Sequence, residues 1–311
     1  MLPGDDEAEA LLRLLEALDA AEYDFVPVTP ASHANVVARP DKKIARTLRD
    51  VFGWSLPFED GLLPVQVQEH LGRAGMIERT GSLLKSKVRV GRLCGRLILH
   101  SAFPTEDEDA VFLSPDTHRF VAFLNSELED AAGTRQLVDI GAGPGSGALC
   151  AAQWLPDARL TLCDINQLAL YYARINAKHA GATVETVLGG IEAVEPGYDL
   201  AIANPPFMID EKGRTYRDGG DLHGGALSVE WAEAAMRGLA PGGRLLLYTG
   251  AAIVEGRDEV RTALSAAVER LGCTLRYREI DPDIYGEELA KPAYADVERI
   301  AAVGAVIEKP A

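Results

Sequence analysis

The most specific chemistry in this 311-residue chain is carried by four consecutive residues, Asn204-Pro205-Pro206-Phe207. The apolar run before them, YDLAIA, reads as a buried strand, so the tetrapeptide stands at a strand end. Two adjacent prolines fix the backbone and remove two N–H donors, which leaves rigid, outward carbonyls. The Asn204 side-chain oxygen and the Pro205 carbonyl can each accept one N–H bond from an NH2 group attached to a carbonyl or an aromatic ring. Such a nitrogen is a poor nucleophile because its lone pair is delocalised. Held by two acceptors, it is oriented toward the pyramidal shape it needs for in-line attack on an electrophile. Phe207 would stack on the flat face of the acceptor group. Asn204, Pro205, Pro206 and Phe207 are therefore the candidate catalytic residues, working by positioning and dipole placement rather than as a strong base.

A second constellation supplies the electrophile. DIGAGPGSG (139–147) lies between a strand and a helix, where Gly141 and Gly143 let the backbone bend and approach a ligand closely. Nicotinamide enzymes use a similar device. Two residues point away from them. Asp139 adds a negative charge that suits an ammonium and not a pyrophosphate, and Pro144 interrupts the row of N–H donors that a pyrophosphate requires. Asp164 ends the next strand, where its carboxylate can accept bonds from both ribose hydroxyls. These features fit S-adenosylmethionine (AdoMet), whose sulfonium makes its methyl group a ready electrophile. An NAD-dependent oxidoreductase would share the loop and Asp164 but leaves the NPPF tetrapeptide without a purpose.

With these motifs in order, residues 111–309 resemble the class I AdoMet methyltransferases that carry an [N/D]PP[Y/F] motif. This group includes adenine-N6, guanine-N2 and release-factor glutamine enzymes. The resemblance implies that Asp139, Gly141, Gly143 and Gly145 form the cofactor loop, that Asp164 holds the ribose, and that Asn204 borders both cofactor and acceptor. FLSPDTHRF (112–120) is similar to the segment that covers the cofactor in glutamine methyltransferases. Relatives often place an acidic residue after the third strand to bind adenine. Here that place reads Leu188-Gly189-Gly190-Ile191, so the adenine would be held by backbone groups and apolar contact with Ile191.

The elements that must position these residues follow from periodicity. From about residue 111 the pattern alternates strands (136–141, 159–166, 183–190, 198–207, 242–250) with helices, and closes with a strand pair at 275–281 and 299–309. This predicts an α/β fold, a Rossmann-like, seven-stranded, doubly wound sheet. Residues 1–110 read as a smaller α+β domain. It has an amphipathic helix over 5–22, an irregular stretch over 23–40, helices near 41–52 and 63–73, and two or three short basic strands up to residue 101. Helix, helix and basic ribbon resemble a winged helix, with a plain α+β cap over the active site as the other reading. The domains expected are thus 1–110 for substrate docking and 111–311 for catalysis.

The whole chain carries a net charge of −16, yet residues 39–100 hold twelve Lys/Arg against six Asp/Glu. That asymmetry points to a basic docking module on an acidic catalytic body. Structured RNA therefore ranks first as methyl acceptor, a protein glutamine second and a small metabolite third. An AdoMet-sensing winged-helix regulator without turnover is a further reading. Within the loop 208–225 that follows the NPPF motif, Tyr216, Arg217 and His223 are the candidate substrate-binding residues, and His223 is also weighed as a base. The four scattered cysteines, Cys94, Cys150, Cys163 and Cys273, form no CxxC pair and argue against zinc and a disulfide framework. No metal is expected. The absence of a long apolar run or a basic, apolar leader predicts a cytoplasmic protein without a membrane partner.

Overall fold

The computed structural model describes residues 4–105, 107–129, 133–210 and 218–311. Its first hundred residues interleave short helices with antiparallel strands. In order these are α1 (Asp5–Ala20), α2 (Pro30–Val37), α3 (Leu48–Phe52), β1 (Phe58–Glu59) and α4 (Val65–Arg73). Then follow β2 (Ile77–Thr80), β3 (Leu83–Ser86), β4 (Val88–Leu93) and β5 (Arg96–Ser101). Strands β1, β3 and β2 form one sheet in that order, and β4 and β5 form a separate hairpin.

Two expectations are corrected here. The helix read over 41–52 shrinks to α3, because the Asp50 carboxylate accepts from Lys42 Nζ, the Arg46 N–H and the Thr47 hydroxyl. Those bonds hold the preceding turn in a non-helical path, and Thr47 becomes the N-cap. The stretch 23–40 is not irregular throughout. Thr29 caps α2 by accepting the Ser32 N–H, with Pro30 at the first helical position.

Beyond residue 114 come α5 (Pro115–Leu128), β6 (Gln136–Ile140), α6 (Ser146–Ala151), β7 (Arg159–Asp164), α7 (Gln167–His179) and β8 (Val184–Leu188). They are followed by β9 (Tyr198–Ala203), α8 (Ala226–Gly238), β10 (Leu239–Val254), β11 (Arg257–Asp258), α9 (Glu259–Leu271), β12 (Thr274–Asp281) and β13 (Arg299–Glu308). The sheet order is β12-β13-β10-β9-β6-β7-β8, with the short β11 paired to β10. Strands β10, β9, β6, β7 and β8 run parallel, whereas β13 is antiparallel to both its neighbours. This is the α/β, doubly wound arrangement expected from the sequence, with the seven expected strands and the short β11 as an eighth.

The central strands are apolar on both faces because helices cover both sides. Successive residues divide between two cores: Leu200 and Ile202 of β9 join one, Ala201 and Ala203 the other. The edge strand β12 alternates exposed and half-buried residues, as a strand covered on one side should. The N-terminal region shares a core with the sheet region. Leu11 and Leu15 of α1 belong to the same buried cluster as Tyr171, Tyr172 and Ile175 of α7. Among the described residues, no helix is long and apolar enough to cross a membrane.

Candidate active site

The chain runs outward from β6 to β8, then returns to place β9 on the other side of β6. At such a switch the loops leaving the strand ends diverge and open a crevice. Asp139 of β6, Asp164 at the end of β7 and Asn204 just after β9 all line one cavity there, of about 500 Å3.

The glycine loop is shaped by its own hydrogen bonds. The Gly143 N–H donates to Asp164 Oδ2 at 2.8 Å, and the Asn166 N–H donates to Asp164 Oδ1 at 2.8 Å. Gly143 has a φ of 54°, and a Cβ built there would meet no atom within 4 Å. Since Gly143 lines the cavity, that empty space is a cradle for a ligand. Gly141, with a φ of 63°, has a different reason to be glycine: a Cβ would fall 2.3 Å from the Trp231 ring. Gly145 does not line the cavity. It caps α6 in the left-handed conformation, with Leu162 and Ala173 close to where its Cβ would be.

Both acids are held where ionisation is disfavoured. Burial pushes the Asp139 carboxyl up to about 7, opposed by the Ala148 N–H that it accepts at 2.8 Å and reinforced by the nearby charge of Asp164. Burial also raises Asp164, opposed by the Asn166 and Gly143 N–H groups. A cationic ammonium beside Asp139 would relieve its desolvation. The site therefore fits AdoMet: an acid for the ammonium, an open glycine backbone, and a carboxylate at the ribose position.

The side-chain oxygen of Asn204 is buried and has no hydrogen-bond partner among the described residues. A buried, unsatisfied acceptor costs about 1–3 kcal/mol, so this atom is set to receive a donor from whatever enters the cavity. Pro205 and Pro206 line the cavity beside it. Phe207 does too, although its ring is 8% exposed and seated against the backbone of Gly250, where a Cβ would meet the ring at 2.3 Å.

Behind Phe207 lies a network whose partners no spacing in the sequence links. Asp116, at the start of α5, is buried and accepts from the hydroxyls of Tyr248 and Tyr285 and from Arg119. Both tyrosine rings approach Phe207, at centroid distances of 6.4 and 6.1 Å. Asp116 and Tyr285 also line the cavity, although 169 positions separate them in the chain. The N-terminal region supplies another wall, with Pro30, His33, Phe103 and Pro104 on the same cavity. The His33 ring lies 4.4 Å from that of Phe103, and its Nε2 is 2.8 Å from the Trp54 carbonyl. Neither contact was visible as a motif.

The structure does not bring every expected residue together. Ile191 is buried in the core beneath α8 and is not part of the cavity wall. His223 also lies off the cavity, with Nε2 3.1 Å from Asp296 and Nδ1 3.6 Å from Glu259. Its hydrogen bond with Asp296 ties the 222–224 turn to the segment before β13, away from the cavity wall where a substrate contact or base was expected. Tyr216 and Arg217 lie outside the described residues.

Comparison with known proteins points to methyltransferases. Residues 107–253 match the family model described as methyltransferase small domain. The chain is 34% identical over 166 residues to the release factor glutamine methyltransferase of Bordetella pertussis, covering 50% of this chain and 60% of that relative. It is 29% identical over 214 residues to the release factor glutamine methyltransferase of Deinococcus radiodurans, covering 65% of this chain and 73% of the relative. Among solved structures, Trm5b from Pyrococcus abyssi aligns with a TM-score of 0.51 at 16% identity, over 79% of this chain and 71% of that one, which shows a shared fold.

Proposed function

We propose that this class I AdoMet-dependent methyltransferase transfers its methyl group to the side-chain amide nitrogen of a glutamine in a protein. The observation that carries this reading is the buried oxygen of Asn204 at the cavity wall, next to two prolines and without a partner among the described residues. A primary amide has two N–H groups, one for Asn204 Oδ1 and one for the Pro205 carbonyl. When bound, AdoMet supplies an activated methyl group on its sulfonium. Asp139 would hold the ammonium, Asp164 the ribose hydroxyls, and the bare backbone at Gly143 would admit the cofactor. Asn204 then holds the acceptor nitrogen at the angle required for attack, and the Phe207–Tyr285 wall excludes water. The proton leaves afterwards to solvent, so no strong base is required.

A base amino group would satisfy the same two acceptors. The curated relatives favour the amide, since both are named for glutamine methylation. Some of the basic residues behind the RNA reading ranked first from the sequence are taken up within the fold. Arg89 is buried against the Phe103 ring, Arg92 is paired with Asp19 and Asp24, and Lys42 with Asp50. Lys85 and Arg96 donate to backbone carbonyls at Phe103 and Ala180. Arg89 is thus withdrawn from the surface, whereas Arg39, Lys43, Arg46, Arg49, Arg73, Arg79 and Lys87 are exposed, so the preference for the amide rests on the relatives.

A release factor is the first acceptor to test, because the relatives carry that name. The purified chain is incubated with tritiated AdoMet and cell extract, or with a purified release factor. Label that is sensitive to protease, resistant to RNase and released as methylamine on acid hydrolysis is the expected result. Label sensitive to RNase would overturn the glutamine reading in favour of a nucleic-acid base. Asn204→Ala should lower turnover by about 10²–10³-fold while changing the Kd for AdoMet little, since its orphaned oxygen serves the acceptor.

A further inference from the structure

Asn176, on the α7 face turned toward the N-terminal region, takes no part in the cavity, yet it is fully buried and joins two distant segments. Its Oδ1 accepts the Leu99 N–H at 2.9 Å, and its Nδ2 donates to the Leu99 carbonyl at 3.1 Å. Leu99 belongs to β5, and the side-chain amide reads its N–H and C=O together, as a third strand would. The same Nδ2 also donates to the Pro144 carbonyl at 2.9 Å. Pro144 is the middle residue of the glycine loop and lines the cavity.

Among the described residues, the other backbone ties of that loop stay within it or run to the sheet region. The Gly143 N–H goes to Asp164, the Ala142 N–H to the Cys163 carbonyl, and the Gly145 N–H to the Ala142 carbonyl. Asn176 therefore connects the loop to the N-terminal hairpin, and it does so with an amide whose planar donor and acceptor geometry no apolar side chain can copy. Removing it would leave the Pro144 carbonyl and both Leu99 backbone groups without this partner in a region closed to water.

We infer that Asn176 is a positioning residue for the cofactor loop, which locks that loop to the N-terminal β4–β5 hairpin so that the two behave as one unit. The inference rests on the reading of the glycine loop as the AdoMet site. It means that the N-terminal region helps to set the affinity for cofactor, beyond any part in binding the acceptor.

The test uses the full chain and two variants, Asn176→Ala and Asn176→Asp, at a temperature where circular dichroism shows them folded. Asn176→Asp keeps the shape and the acceptor for Leu99, so it serves if the alanine variant does not fold. At pH 8 the Kd for AdoMet, measured by calorimetry, should rise about tenfold in each variant, the equivalent of 1.4 kcal/mol. Without AdoMet, hydrogen exchange should speed up together at Leu99 and at residues 142–147. A lower melting temperature with a Kd within twofold of wild type would overturn the inference. So would faster exchange at Leu99 with an unchanged glycine loop. Failure of the wild type to bind AdoMet would instead sink the proposed function, while the exchange comparison would still judge the coupling.

Discussion

At the scale of single residues, the site combines buried acids with one unsatisfied acceptor, and the acids give it a pH dependence of definite sign. Burial raises the Asp139 carboxyl to about 7, from an ordinary value of 3.8. The folded, ligand-free protein therefore holds a proton there that the unfolded chain releases. The stability linked to that proton is fully present below the unfolded value and is lost as pH rises through about 7. Binding of a cationic ammonium has the opposite preference, for the ionised form. Affinity for AdoMet should accordingly increase as pH climbs from 6 to 8, while the melting temperature of the ligand-free protein declines. Asp139→Asn should flatten both profiles, bind AdoMet weakly at every pH, and melt no lower than wild type at pH 8. Calorimetric titration and thermal melts across that range would check both slopes. A wild-type affinity that does not vary with pH would remove the direct ammonium contact from Asp139.

At the scale of elements, the sequence was legible wherever one periodic signal decided the outcome. The strands carrying Asp139, Asp164 and Asn204 are apolar runs bounded by turn residues, so both their type and their order could be read. Long-range partners left no such trace. Asp116 was visible only as part of a loose motif match, because Tyr248 and Tyr285 reach it from β10 and from the loop after β12. The hydrogen bond between His223 and Asp296 is likewise set by tertiary packing, and no spacing rule points to it. Gly250 shows how an element shapes the site without contributing a side chain to it. It lies within β10, and a Cβ there would overlap the Phe207 ring, whose nearest atoms are 2.3, 2.7 and 3.0 Å away. A ring cannot yield as the end of a flexible chain can. Gly250→Ala should therefore displace Phe207, at a cost of about 1–3 kcal/mol in stability, and depress methyl transfer more than AdoMet binding. Denaturant melts combined with turnover and binding measurements would show this split. Equal losses of binding and turnover would mean that the ring's place on β10 serves the cofactor.

At the scale of the whole molecule, the question is whether the two expected domains, 1–110 and 111–311, behave as independent units. Domains joined only by a linker meet over small, polar interfaces and unfold separately. Here the buried cluster of the N-terminal region continues into α7 through Tyr171, Tyr172 and Ile175, and Asn176 hydrogen-bonds across the same junction. The surface pair Lys178–Glu9 adds little, since exposed ion pairs contribute about 0–1 kcal/mol. The apolar continuity is the larger effect, because burying a single Leu or Ile side chain is worth about 1.5–3 kcal/mol. With several such side chains shared, neither part can open without exposing the core of the other. Unfolding in urea should then be one cooperative transition, superimposable when followed by the fluorescence of Trp54, in the N-terminal region, and of Trp231, on α8 near the glycine loop. Single-tryptophan variants would separate the two signals. Midpoints that differ would show the N-terminal region to be a separable unit. Coincident midpoints would mean that a chain shortened to residues 111–311 loses folding stability.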